Sequence, residues 1–266
     1  MKIIESTFDP ISLKQLDELK QIFKETHKDI YCKVSDSGYL SKKDREKLLK
    51  QAFKPYKHFH VYTGNQPSSF LHDYHEEEEK IRSGKFYLCA PGIQTMIHDH
   101  GYYYENVCEA MCNEHRAIHS KSVAKTASLL ASYHQLDETL AYRMGLLHDI
   151  TKKMSDEDGK KILEIYDPDG LKYDPKVWHS FTAVIICKKE LCIYDSRILN
   201  AIYHHTLGDG NSDYDHILYI ADKIEPTRGY DATYEYSLAK KSLKECAHYV
   251  REKSKKYILE KEGKHV

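Results

Sequence analysis

Near the start of the chain, apolar positions switch between two rhythms. Residues 12–24 place Leu13, Leu16, Leu19, Ile22 and Phe23 at helical spacing, with Ser12 positioned to cap the first turn. Residues 41–53 repeat the helical pattern behind Ser41, with Asp44 in the first turn. Between and around them, residues 2–4, 29–34 and 59–62 read as short strands. Strands alternating with helices of this length predict a parallel, doubly wound sheet. A turn-rich stretch with Gly64, Asn65 and Pro67 follows, then the acidic run Glu76-Glu77-Glu78-Glu79, which reads as a solvated helix face.

From about Tyr104 the strand signal fades. Residues 120–133 put Val123, Ala127 and Leu130 on one helix face, and residues 138–148 form a second helical pattern. Pro168, Gly170 and Pro175 break the chain before further helices over 181–190, 196–204, 215–224 and 234–260. The expected architecture is an α/β part over residues 1–105, a truncated Rossmann-like parallel sheet, followed by an all-α bundle over residues 106–266.

Composition narrows the classes. Lys and Arg number 40 against 41 Asp and Glu, so no net field favours nucleic acid or a membrane surface. No run reaches the roughly 18 apolar residues of a membrane span, and the first residues lack the apolar core of a signal peptide. Seven cysteines without a CxxC pair point to a reduced, cytoplasmic protein. Cys108 and Cys112 are expected to pack rather than bind zinc. The 17 histidines invite a search for ligand spacing.

That search finds an ordered series: His119, the pair His148-Asp149, His179, His205 and Asp222, each in or beside a predicted helix. A divalent metal in a helical bundle needs imidazoles and carboxylates converging from different helices. The contexts suit it. Met144-Gly145-Leu146-Leu147 is an apolar helix end leading into His148-Asp149. Asp222 lies among apolar neighbours, where a carboxylate is costly unless paired or ligating, and Pro226 stops that helix. His204 is a rival to His205. The string His98-Asp99-His100 has no downstream partners and reads as an exposed helix end. His72 and His75 read as solvent-exposed.

Within residues 114–250, Arg116-Ala117-Ile118-His119, Leu147-His148-Asp149-Ile150-Thr151-Lys152, Trp178-His179, the run from Ala201 through His205-Thr206-Leu207-Gly208, and Ile220-Ala221-Asp222-Lys223-Ile224-Glu225-Pro226-Thr227-Arg228 resemble the bacterial HD-domain hydrolases that split diadenosine tetraphosphate symmetrically. The resemblance implies one metal on His119, His148, Asp149 and Asp222, with Asp149 bridging to a second ion held by His179 and His205. It implies iron, with Mn or Mg as alternatives. Asp149, Lys152 and Arg228 are then the catalytic candidates. Arg116, Lys152, Thr206, Gly208 and Arg228 are the candidates for substrate binding, although Lys152 and Arg228 read equally well as solvated surface cations.

At the other end, Thr7-Phe8-Asp9-Pro10-Ile11 resembles the start of nicotinate-nucleotide adenylyltransferases. The family's His-x-Gly-His places hold Ser12, Lys14 and Gln15, and Glu5-Ser6 replaces its glycine pair. Its Ser-Thr-x-Ile-Arg motif is unrecognisable over residues 72–81, while residues 83–91 and His100-Gly101-Tyr102-Tyr103 resemble its C-terminal end. Without the imidazoles and glycines, adenylyl transfer is not expected. The expected partner is a nucleotide substrate, with no nucleic acid and no membrane, and a homodimer is left open. The leading expectation is hydrolysis of diadenosine tetraphosphate to two ADP. The alternatives are another nucleotide substrate on the same site, such as a mono- or triphosphate or a cyclic dinucleotide, and a nucleotide-sensing module without catalysis.

Overall fold

In the computed structural model, residues 2–261 are described, apart from the side chains of Ile258 and Lys261. The chain divides into two compact units: one through Tyr103 together with Glu190–Cys192, the other Tyr104–Lys189 and Ile193 onward.

The first unit carries β1 (Lys2–Ser6), α1 (Leu13–Thr26), β2 (Ile30–Val34), α2 (Lys42–Phe53), β3 (Phe59–Val61), β4 (Ser69–Phe70), α3 (His75–Arg82) and α4 (Pro91–His100). Its four strands run parallel in the order β3-β2-β1-β4. The capping signals hold: Ser12 and Gln15 form a reciprocal capping box on α1, and Ser41 accepts from the Asp44 amide on α2. The core joins Ile4, Leu16, Leu19, Ile30, Cys32, Leu48 and Leu49.

Strand β4 is an addition to the expected set. It forms inside the turn-rich stretch, where Ser69 and Phe70 pair with Ile4 and Glu5. The acidic run is only half solvated. Glu76 and Glu79 are exposed, but Glu77 and Glu78 are 7% and 0% exposed. Glu78 is buried because Thr7 Oγ1 donates to it at 2.7 Å and Gln15 Nε2 at 3.0 Å. Lys14 Nζ reaches Glu77 at 2.9 Å.

The second unit is helical: α5 (Tyr104–Met111), α6 (Glu114–Tyr133), α7 (Glu138–Leu147), α8 (Asp156–Tyr166), α9 (Trp178–Lys189), α10 (Ser196–His204), α11 (Asp213–Ile224), α12 (Thr233–Lys241) and α13 (Leu243–Lys261). The helix expected over 234–260 is two, broken at extended Ser242, which closes α12. Asn113, Asp137, Ser155, Asp195 and Ser212 each cap the helix they precede. Small residues let α6 and α7 approach closely. Ala117, Ala124, Ala127 and Ala131 are buried on α6, and Ala124 packs directly against buried Gly145 of α7. Cys108 and Cys112 are buried free thiols. Among the described residues no helix is long and apolar enough to cross a membrane.

Candidate metal centre

Helix ends bring the candidate metal ligands together. His148 caps the C-terminus of α7 and Asp149 follows it, His179 sits in the first turn of α9, His205 follows α10, and Asp222 lies in the last turn of α11. His119 comes from the second turn of α6. His148 keeps helical backbone angles at the end of α7, and its Nε2 lies 3.5 Å from Asp149 Oδ2, so the adjacent side chains face one point.

All six side chains are buried. The ligand atoms of His119, His148 and Asp222 lie within 4.8 Å of one another, as do those of His148, Asp149 and His205. His179 joins the second group, its Nε2 lying 3.2 Å from Asp149 Oδ1. The imidazoles form a chain of edge-to-face contacts, with centroids 5.3 Å apart from His119 to His148, 5.0 Å on to His205 and 5.2 Å on to His179. His204 points elsewhere: its Nδ1 pairs with Asp209 at 2.7 Å.

Hydrogen bonds behind the rings set which nitrogen faces inward. His148 Nδ1 donates to the Gly145 carbonyl at 2.7 Å, and His205 Nδ1 to the Ile202 carbonyl at 2.6 Å. His119 Nδ1 lies 3.0 Å from the Glu225 carboxylate. Each Nε2 is thereby left as a bare acceptor. The Nε2 atoms of His119 and His148 are buried without a hydrogen-bond partner. His119 Nε2 nevertheless lies 3.0 Å from Asp222 Oδ1. Two buried acceptors held that close require a shared cation or a proton between them. Nitrogen and carboxylate donors in this number fit a divalent transition metal.

Protonation states agree with ligation. Burial pushes His148 down to about 4 against the pull of Asp149. Burial also takes His179 down to about 4. Burial opposes ionisation of both carboxylates, yet His148, His179 and His205 hold Asp149, and Lys223 and His119 hold Asp222, well below the usual range. His119 differs. Burial lowers it, but Asp222 and Glu225 outweigh that and raise it.

Cations rim this cage. Arg116 donates to Asp149 Oδ2 at 2.7 Å, and Arg228 to Asp222 Oδ1 at 2.7 Å. Lys223 Nζ sits 2.6 Å from Asp222 Oδ2. Lys152 is exposed as a residue, but its ammonium lies 3.0 Å from His179 Nδ1 and 3.2 Å from His179 Nε2, and desolvation lowers its pKa. These four and Lys176 line one cavity of about 250 Å³ with Asp149, His179, His205, Thr206 and Asp222. Gly208 is not among its lining residues. It takes a left-handed φ of 65° against the Tyr219 ring, where a Cβ would come within 2.6 Å.

Sequence reasoning missed Lys176, Lys223 and Glu225. Glu225 was legible as an acid between Ile224 and Pro226, where the helix must stop. It accepts from the Thr227 amide at 2.7 Å and hydroxyl at 2.6 Å while orienting His119. Outer-shell carboxylates behind ligating histidines typically matter about 10- to 100-fold in metal affinity. Glu225→Ala should therefore weaken metal binding by roughly that factor, with Glu225→Gln milder, measured by competition with a chromogenic chelator. Equal affinity in all three proteins would remove Glu225 from the site.

Comparison with known proteins places this geometry. Residues 116–227 match the HD domain family model. The chain is 32% identical over 176 residues to the Mycoplasma pneumoniae protein named "Probable nicotinate-nucleotide adenylyltransferase/Ap4A hydrolase", covering 62% of this chain and 50% of that one. It therefore spans about half the length of that relative. It is 30% identical to a symmetrical bis(5'-nucleosyl)-tetraphosphatase of Staphylococcus aureus, covering 56% of this chain and 80% of that protein. A crystal structure described as a "predicted HD superfamily hydrolase involved in NAD metabolism", from Clostridium acetobutylicum, superposes with a TM-score of 0.56 at 29% identity, covering 61% of this chain and 88% of that one. The chain belongs to the HD-domain family, alongside the symmetrical bis(5'-nucleosyl)-tetraphosphatases and the fusions that join such a domain to a nicotinate-nucleotide adenylyltransferase.

Proposed function

We propose that this chain hydrolyses dinucleoside tetraphosphates, converting diadenosine tetraphosphate and water into two ADP. The observation that carries the reading is the juxtaposition of a buried cage of four imidazoles and two carboxylates with a rim of five cations. The cage suits a divalent metal, which His119, His148, Asp149 and Asp222 would hold, and His179, His205 and Asp149 would serve a second. Iron is the metal favoured by the resemblance. A bound divalent cation supplies Lewis acidity toward a phosphoryl oxygen and toward water.

The chain's own residues do the rest. Arg116, Lys152, Lys176, Lys223 and Arg228 face a polyphosphate and offset the charge that grows on its equatorial oxygens. Arg228 and Arg116 already stand against the carboxylates, so a phosphate arriving there meets donors fixed in place. Thr206 lines the same cavity, its hydroxyl 3.1 Å from Ser180 Oγ. The ammonium of Lys152, which lines the same cavity and whose pKa burial lowers, also serves as a proton carrier for a leaving phosphate.

The test is product analysis with the metal-supplemented full chain. Two ADP per diadenosine tetraphosphate are expected. AMP plus ATP, or no cleavage with Fe, Mn or Mg, would sink the proposal.

The first unit is inferred not to transfer AMP. Ligands of open parallel sheets bind outside the carboxyl ends of the strands. Here that place is filled by the chain itself. Buried Arg45 donates to the carbonyls of Thr7 and Ser37 at 2.8 Å and of Ser35 at 3.1 Å, just past the ends of β1 and β2. The Glu78 carboxylate occupies Thr7 and Gln15. No pyrophosphate should appear on incubation with ATP and nicotinate mononucleotide, and its release at rates above buffer would overturn this inference.

A further inference from the structure

The metal cavity of about 250 Å³ is lined by charged groups, imidazoles and Thr206, with no Tyr, Trp or Phe among its lining residues. It suits phosphates, and the rings in its lining are the imidazoles of the metal cage. A second, larger cavity of about 760 Å³ shares Lys223 and Arg228 with it, so the two lie on either side of those cations. Its size falls in the range of small-molecule sites, about 300–1,000 Å³. Tyr230 and Tyr257 wall it, with Lys253 and Lys256 alongside.

This wall is built. Tyr230 Oη donates to the Lys223 carbonyl at 3.0 Å, which fixes the ring next to a phosphate-facing lysine. The Lys253 ammonium stands 4.7 Å from the Tyr230 centroid and is itself held by the buried carboxylate of Glu235. Even so, Tyr230 is 43% and Tyr257 57% exposed. Two partly exposed tyrosine rings, one of them carrying the Lys253 ammonium, stand beside cations next to a polar site and match what a nucleobase needs: a surface to stack on, within reach of donors for its phosphates. The opposite flank, around Trp178 and Met154, holds only about 200 Å³, and the Trp178 indole N–H is already committed to the Tyr173 carbonyl at 3.0 Å.

We infer that the tyrosine-walled cavity between Arg228 and α13 binds one nucleoside of the substrate, stacking its base on Tyr230 and Tyr257 while the attached phosphates pass Arg228 and Lys223 into the metal cavity. This rests on the dinucleoside-polyphosphate reading of the metal site and adds where a base goes.

The experiment is calorimetric titration of the purified, metal-supplemented full chain with ADP and, separately, with inorganic pyrophosphate. Tyr230→Ala and Tyr257→Ala should each weaken ADP by about 10-fold and leave pyrophosphate unchanged, since stacking recognises the base alone. Phenylalanine at either position should keep ADP affinity. Wild-type ADP affinity in both alanine variants overturns the cavity assignment and leaves the hydrolase reading standing. Equal losses for ADP and pyrophosphate overturn it too, because the tyrosines would then be supporting phosphate. A wild-type chain that binds pyrophosphate and not ADP overturns it outright. The hydrolase reading fails by a separate sign, the absence of ADP from diadenosine tetraphosphate.

Discussion

Asp149→Ala should lower the proposed hydrolysis of diadenosine tetraphosphate by about 1,000-fold or more and strip most metal from the purified protein, because losing an outer-shell partner alone typically costs about 10- to 100-fold. Asp149 is the carboxylate on which both halves of the cage converge. Its Oδ1 lies 3.2 Å from His179 Nε2 and 3.6 Å from His205 Nε2, and its Oδ2 3.5 Å from His148 Nε2 and 4.0 Å from His119 Nε2. Remove it and four imidazoles remain with one carboxylate, Asp222, at the far side. The charge balance for a divalent ion is then halved. Arg116 also loses its partner, and a guanidinium turned into the cage would repel a cation.

Fold should survive this change. Asp149 is ionised against a burial cost, so its removal relieves desolvation in the metal-free state while forfeiting its contacts with Arg116 and the imidazoles. Far-ultraviolet circular dichroism should match wild type while metal content by mass spectrometry falls. A variant with full metal and full activity would show that the reacting atoms lie elsewhere. Asp149→Asn separates charge from shape: it keeps one ligating oxygen, so partial metal with low activity is the expected result.

Much of this site was legible because its information is local. His148-Asp149 after an apolar helix, and Asp222 inside an apolar helix stopped by Pro226, are anomalies within a few residues of themselves. The caps Ser12 and Ser41 work the same way, since a capping side chain bonds the next turn of its own helix. What was not legible depends on partners far along the chain. Glu78 is buried because Thr7 and Gln15, 71 and 63 residues away, satisfy it. Strand β4 is two residues long, too short to show alternation, and exists because β1 offers an edge. Lys176 and Lys223 look like ordinary surface cations until the fold lines them along one cavity. Helix α8 hid between Pro168 and the polar stop after Asp149, although Ser155 at its cap and three acids in its first turn announce it. Gly208 has a structural reading of its own. Its backbone conformation and its seat on Tyr219 account for a glycine there without any ligand.

The second large effect concerns a residue that touches no substrate. Gly145→Ala should destabilise the helical unit by about 2–3 kcal/mol, lowering Tm by roughly 5–10 °C, although alanine is the better helix former by about 1 kcal/mol. The sign is decided by what the new methyl would meet. A Cβ on Gly145 would lie 2.3 Å from the α-carbon of Ala124 and 2.5 Å from its amide nitrogen. Those are backbone atoms of α6, which cannot swing aside as a long side chain would, so the helices must separate. Separation carries a chemical consequence, because the Gly145 carbonyl is the acceptor that fixes His148 Nδ1, and α6 carries His119. Metal affinity should therefore fall together with stability, and thermal unfolding followed with and without added metal reads both. Adding Ala124→Gly to Gly145→Ala removes only one methyl of the obstruction and leaves the clash with the backbone of residue 124, so it should restore little. If Gly145→Ala instead raised Tm, the two helix backbones would not touch at this crossing, and the packing that holds His119 and His148 together would need another origin.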